Sequence, residues 1–247
     1  MTRRSTFAAA LLRGLVAVLW AAGLTGCVTR QAAPPAAVPA PAARPAPSPH
    51  LGRAFDVVPG ESLLVVLVYR AGPLAALGHN HVVACRCLTG TVYLPADPLR
   101  ASFDLRVPVT QLSVDDPALR AAEHSGDFPP DVPQSARQGT RHNMLSAALL
   151  DASAYPDIAL QAEGLRAASD GKPDEVVAQV SLRIRGEVHS VPVPVHYDVQ
   201  PAEIVVTGEF PLEQTALGLT PFSTLGGALK VKDAMTVRFR LVARRNG

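Results

Sequence analysis

His79 and His81 stand one residue apart in Leu77-Gly78-His79-Asn80-His81, and four residues later Cys85 and Cys87 stand one residue apart. Imidazoles and thiolates are the side chains that hold zinc and other transition metals, and neighbouring thiols in an oxidising compartment can pair as a disulfide. On an unbroken strand His79, His81, Val83, Cys85 and Cys87 share one face, because side-chain direction alternates with period two. At ~3.3 Å per residue His79 and Cys87 are then roughly 26 Å apart, so the four do not surround a single ion. The two pairs are therefore separate candidates. His79 and His81 become metal ligands if a third arrives from His124, His142 or His189; the other reading has them at the strand entry, hydrogen-bonding loop carbonyls. Cys85 and Cys87 are a candidate disulfide, but extended backbone puts their Cα atoms ~6.6 Å apart, at the long end of disulfide geometry, so bridging requires the strand to buckle.

Other catalytic signatures are absent. The sequence has no G-x-S-x-G elbow, phosphate-binding loop, dinucleotide-binding glycine fingerprint or HExxH. Ser62, Ser113 and Ser146 have no flanking residues that single out a nucleophile, and the acidic pairs Asp115-Asp116 and Asp174-Glu175 read as solvated caps in turns. No catalytic residue is assigned, and the expectation is a chain that is not an enzyme.

What must position these residues begins with the N-terminus. Arg3, Arg4 and Arg13 precede or flank an apolar run from Leu15 to Leu24, closed by Leu24-Thr25-Gly26-Cys27. That is the pattern of an export signal ending in a lipobox, giving a signal peptide over 1–26 and a lipidated Cys27. Val28 follows where aspartate would be an inner-membrane retention cue, so the expected location is the cell envelope, with the anchor in the outer membrane and the protein facing the periplasm. Residues 27–50 form a linker: seven prolines fall between Pro34 and Pro49, most of the rest being alanine, a composition that cannot build a core. Residues 51–247 are then one domain. Without the three signal arginines the 23 Lys and Arg fall to 20, against 21 Asp and Glu, so nothing favours nucleic acid as a partner.

The domain reads as strands: Ser62 to Arg70, Thr89 to Leu94, Ser102 to Val109, Asp157 to Leu165, Val176 to Arg185, Val188 to Val199, Glu203 to Leu212 and Met235 to Ala243. Short turns join many of them, including one over 169–174, as in an antiparallel meander. Two segments, Asp116 to His124 and Arg141 to Leu150, read as helices separated by a polar stretch. The fold class is all-β: an eight-stranded antiparallel barrel with a short helical insertion, closure removing exposed strand edges. Such a barrel either encloses one small or elongated apolar ligand or is filled by its own side chains.

Four stretches together resemble the YceI-like family: Leu77-Gly78-His79-Asn80-His81; Met144-Leu145-Ser146 through Asp151 to Tyr155-Pro156-Asp157-Ile158; Val180 through Arg185-Gly186 to Val188; and Leu217-Gly218-Leu219 to Asp233-Ala234-Met235-Thr236-Val237. The resemblance runs from about Ser62 to Ala243. It implies a periplasmic, lipocalin-like barrel and, as ligand, a polyisoprenoid or related long-chain lipid. On that reading Phe103, Leu105, Val107, Leu182, Ile184, Phe210, Phe239 and Leu241 are the expected ligand-lining residues, each strand being open to a one-residue slip that would turn its other face inward. The protein's partners are then the lipid and, through Cys27, a membrane; its only bound groups are that lipid or a divalent metal. The competing expectation is a metal-binding or redox-active lipoprotein that uses the His-x-His and Cys-x-Cys stretch.

Overall fold

The computed structural model describes residues 50–168 and 175–245. The expected signal peptide, Cys27, the linker up to residue 49 and the turn expected over 169–174 lie outside them. The strands are β1 (Arg53–Val57), β2 (Leu63–Val68), β3 (Arg70–Ala71), β4 (His81–Cys85), β5 (Thr89–Leu94), β6 (Ser102–Pro108), β7 (Ser113–Val114), β8 (Asp157–Glu163), β9 (Leu165–Ala167), β10 (Glu175–Ile184), β11 (Glu187–Val199), β12 (Glu203–Glu213), β13 (Ser223–Thr224), β14 (Leu229–Val231) and β15 (Ala234–Arg245). Helices α1 (Pro117–Ala121) and α2 (Gln134–Leu145) lie between β7 and β8.

The larger sheet closes into an antiparallel barrel. Starting at β15, the ladder passes through β1, β5, β6, β8, β10, β11 and β12 and returns to β15. β2 and β4 continue the staves of β1 and β5, since β2 pairs with β15 and β4 as β1 pairs with β15 and β5. Likewise β7 continues β6, and β9 continues β8. The result is the expected eight staves, several of them interrupted. At the first interruption the buried Ser62 hydroxyl donates to the Val242 carbonyl at 3.3 Å and accepts from the Val242 amide at 3.0 Å, replacing ladder bonds lost in the turn at Pro59–Glu61.

Sequence periodicity explains the continuous staves. In β10, Val176, Ala178, Val180 and Ile184 are buried, alternating with residues of the outer face. Its hairpin to β11 uses Arg185 and Gly186 at φ of +51° and +80°, the left-handed pair that a two-residue turn between twisted strands requires. β11 carries Pro192 and Pro194, which lack amide donors, yet it pairs with β10 along its length. Its ladder to β12 is confined to His196–Val199 against Ile204–Thr207, beyond the prolines.

The two ends of the barrel differ. At one end lie the connections over 69–80, 115–156 and 214–233, and a small sheet of β13, β14 and β3 ties the first to the third. At the other end β1 begins, with Arg53 opposite Leu94, whereas Val68 pairs with His81 at the loop-rich end. The connection from β7 to β8 folds back over the outside of β2 and β4, where Val65, Leu67, Val82, Ala84 and Phe128 form a second core. α2 runs from Gln134 to Leu145 rather than the expected Arg141 to Leu150: Pro133 fixes its start, and among its residues only Met144 is buried.

Candidate functional site

The barrel encloses a cavity of about 460 Å³, within the range of sites for small organic ligands. Its wall runs from Leu94, Ser102 and Val199 at the β1 end to His79, Phe222 and Lys230 at the loop-rich end. Side chains therefore do not fill the interior. Phe103, Leu105 and Val107 of β6, Leu182 and Ile184 of β10, Phe210 of β12, and Phe239 and Leu241 of β15 all line it. Leu105 and Leu182 both pair with Leu160 of β8, so three leucines form one band across the wall. On β2 the residues facing the cavity, Leu64, Val66 and Val68, are only half-buried, while Val65 and Leu67 on the outer side are buried under the insertion.

At the loop-rich end the wall becomes polar and is braced by buried charge. Asp115, held at φ +52° and 1% exposed, accepts from the Val82 amide (2.9 Å) and from Arg120 Nη1 (2.7 Å) on Oδ1, and its Oδ2 lies 2.7 Å from His81 Nδ1. Arg120, also 1% exposed, donates to the carbonyls of Asn80 (2.8 Å) and Pro129 (2.5 Å), and its Cζ lies 5.7 Å from the centre of the Phe128 ring. Burial pushes the Asp115 carboxyl up, but the hydrogen bonds from His81 and the Val82 amide, with the charges of His81 and Arg120, outweigh it and hold the group below its usual value. The Asn80 side chain accepts from the Arg70 amide (2.8 Å) and donates to Asp127 O (2.9 Å). This network fastens the β7–β8 insertion to the entry of β4.

The expectations for the first motif are redistributed by this geometry. His81 faces the cavity, but its Nδ1 meets Asp115 and its Nε2 lies 3.1 Å from the Thr140 hydroxyl of α2, so it bonds side chains rather than loop carbonyls. His79 is half-buried on the cavity wall, its ring 6.2 Å from that of His81. Its pKa is lowered, first by burial and then by the charges of His81, Arg120 and Arg70. His124 and His142 are exposed and His189 lies near Glu187; among the described residues no three His, Cys, Asp or Glu converge on a metal position. Cys85 and Cys87 are joined through their sulfurs with Cα atoms 5.1 Å apart, where the stave breaks between β4 and β5. Asp116 caps α1 as expected, accepting from the Ala118 and Leu119 amides, whereas its neighbour Asp115 is buried and not a solvated cap.

Several residues of the site had no signal in the sequence: Arg70 and Lys230, which line the cavity at its polar end, and Arg120 and Thr140, which hold Asp115 and His81. Arg70 and Lys230 lie in β3 and β14, strands of two and three residues that are too short to show a period.

The YceI-like domain model matches residues 78–243, the greater part of the chain. The chain belongs to the YceI-like family. Two solved structures share this YceI-like barrel. BcnA of Burkholderia cenocepacia aligns with a TM-score of 0.54 at 17% identity, over 76% of this chain and 99% of its own. A polyisoprenoid binding domain from Saccharophagus degradans, described as implicated in plant cell wall breakdown, aligns with a TM-score of 0.50 at 11% identity, over 78% of this chain and 99% of its own. At these identities the likeness is one of fold. No curated protein matches the chain.

Proposed function

We propose that this YceI-like protein is an exported lipoprotein, anchored through Cys27 in the outer membrane and facing the periplasm, whose barrel carries or stores a long-chain apolar lipid, polyisoprenoid or fatty-acid-like, without chemical change. The observation that carries this reading is the apolar cavity running from one end of the barrel to the other. Each methylene buried in such a wall contributes about 0.8 kcal/mol, so a long tail binds without polar contacts along its length. The Saccharophagus degradans domain, described as polyisoprenoid-binding, supports a ligand of this type, and the lipobox at Leu24 to Cys27 supports the anchor.

The test uses Pro47–Gly247, which forms a compact unit by itself. Native mass spectrometry and titration with geranylgeraniol should give a one-to-one complex. Leu105→Trp combined with Leu182→Trp puts two indoles at the level of Leu160 and should weaken uptake about tenfold or more while the fold persists. Wild-type protein that repeatedly takes up no chain, or a double variant that binds as tightly as wild type, overturns the reading.

A further inference from the structure

Large apolar side chains stand in solvent at the loop-rich end, on two connections that form one surface. Leu77 is 68% and Leu225 63% exposed, and Leu74 and Phe222 are exposed with them. Leu74 and Leu77 lie in the connection over 69–80, Phe222 and Leu225 in that over 214–233. β14 pairs with both β13 and β3, the Leu74 amide donates to the Ala228 carbonyl at 2.9 Å, and the Lys232 amide donates to the Tyr69 carbonyl at 2.7 Å, so the two connections hold each other in place. Leu74, Leu77 and Leu225 do not line the cavity, and a ligand inside the barrel leaves them unused. Phe222 lines the cavity and is also exposed, so the patch begins where the cavity opens.

The charge around the patch is of one sign. Residues 69–80 and 214–232 contain no aspartate or glutamate, and their charged side chains are the exposed Arg70, Lys230 and Lys232. The carboxylate of Asp233, the next residue, is engaged by the Thr215 amide (2.9 Å) and hydroxyl (2.6 Å), while Glu187 and Glu213 belong to the barrel strands β11 and β12. Leu51, Leu99 and Val199 are exposed at the opposite end, but among charges of both signs: Arg53, Asp97, Arg100 and Asp198. Exposed leucines flanked by cations and free of carboxylates suit the interface of a negatively charged bilayer, where apolar side chains enter the headgroup boundary and cationic heads stay at its surface. Four apolar side chains are few against the roughly 20–30 residues a side of a standard protein interface, and insertion into a bilayer needs no partner of matching shape.

We propose that the loop-rich rim is a membrane-docking surface: Leu74, Leu77, Phe222 and Leu225 enter the interface of an anionic phospholipid bilayer, Lys230 and Lys232 lie at its surface, and the mouth of the cavity is set against the bilayer. The use of that mouth rests on the lipid-binding reading above; the docking does not.

The experiment sediments Pro47–Gly247 with vesicles of phosphatidylcholine alone and of phosphatidylcholine with phosphatidylglycerol, at low and high salt, and separately titrates each protein with geranylgeraniol. Wild type should bind the anionic vesicles about tenfold or more tightly than the neutral ones, a preference that salt removes. Leu77→Asp combined with Leu225→Asp should lower binding to anionic vesicles about tenfold or more and leave geranylgeraniol affinity unchanged. Lys230→Gln combined with Lys232→Gln should bring binding to anionic vesicles down towards that to neutral ones. Leu51→Asp combined with Leu99→Asp, at the opposite end, should bind vesicles as wild type does. Wild type that stays in solution with both vesicles, binding blind to vesicle charge, or equal losses in the two leucine pairs overturns the proposal. Self-association abolished by the Leu77 and Leu225 substitutions, without vesicle binding, identifies a second copy of the chain as the occupant and also overturns it. Geranylgeraniol uptake without docking leaves the lipid-binding reading standing, and docking without uptake leaves this proposal standing alone.

Discussion

Asp115 gives one carboxylate oxygen to the Val82 amide and Arg120 and turns the other to His81, all within a side chain that has no exposed area. Removing one member of a buried ion pair leaves the other charge without compensation, so Asp115→Asn is expected to destabilise the barrel by roughly 3–5 kcal/mol, read from urea unfolding. The pH dependence follows from the direction of its shift. The folded carboxyl titrates below the unfolded one, so its contribution is complete above about pH 4 and is lost as pH falls through the lower folded value. Thermal melts from pH 7 to pH 3 should therefore fall more steeply for wild type than for Asp115→Asn; parallel slopes would contradict the assignment. Adjacent aspartates look alike in a sequence. What separates Asp115 from Asp116 is Arg120 and His81, five residues ahead and 34 behind, and only the folded chain brings His81 there.

At the scale of elements, alternation was legible wherever one face of a strand meets the cavity and the other meets water. β5 spans Thr89–Leu94, as its pattern led one to expect, and β6 spans Ser102–Pro108, one residue short of the expected Ser102 to Val109 because Val109 opens a 3-10 turn. β4 was not legible as a stave because all five of its residues are buried: one face borders the cavity and the other lies under Phe128 and the insertion, so His81 to Cys85 has no polar face to mark its period. α2 hid for the opposite reason, since a helix lying on the surface with one buried residue has no apolar stripe. A close inter-strand fit involving three strands is at Gly208 of β12. A Cβ there would come within 2.6 Å of both the Phe239 ring and the Pro194 carbonyl. Gly208→Ala should thus force the three strands apart at a cost of about 1–3 kcal/mol, lowering the melting temperature by roughly 2–4 °C for each kcal/mol. An unchanged melt would show that β11 and β12 give way freely beside the prolines.

For the whole molecule, closure could be anticipated because many of the strands succeed one another through short turns, with a helical insertion between two of them, and a ring is the way to pair every edge. The cavity could not. Whether a ring of leucines and valines meets in the middle depends on how far apart the staves stand, and no local pattern encodes that distance. The anchor has its own test, because a diacylglyceryl group needs the Cys27 thiol. Cys27→Ser should move the protein out of the membrane fraction or leave its signal uncut, and should not alter the melting temperature, since the barrel's core is drawn from Phe55 to Ala243. Membrane association of a signal-cleaved Cys27→Ser protein would refute it.

β1 enters the barrel at the end opposite Arg70, His79 and Lys230. If the anchor is the one proposed at Cys27, residues 28–49 are the length of sequence between the lipid and the fold. That length would then set how far from its membrane the protein can hand on a cargo, and shortening it would narrow the choice of membranes and partners within reach.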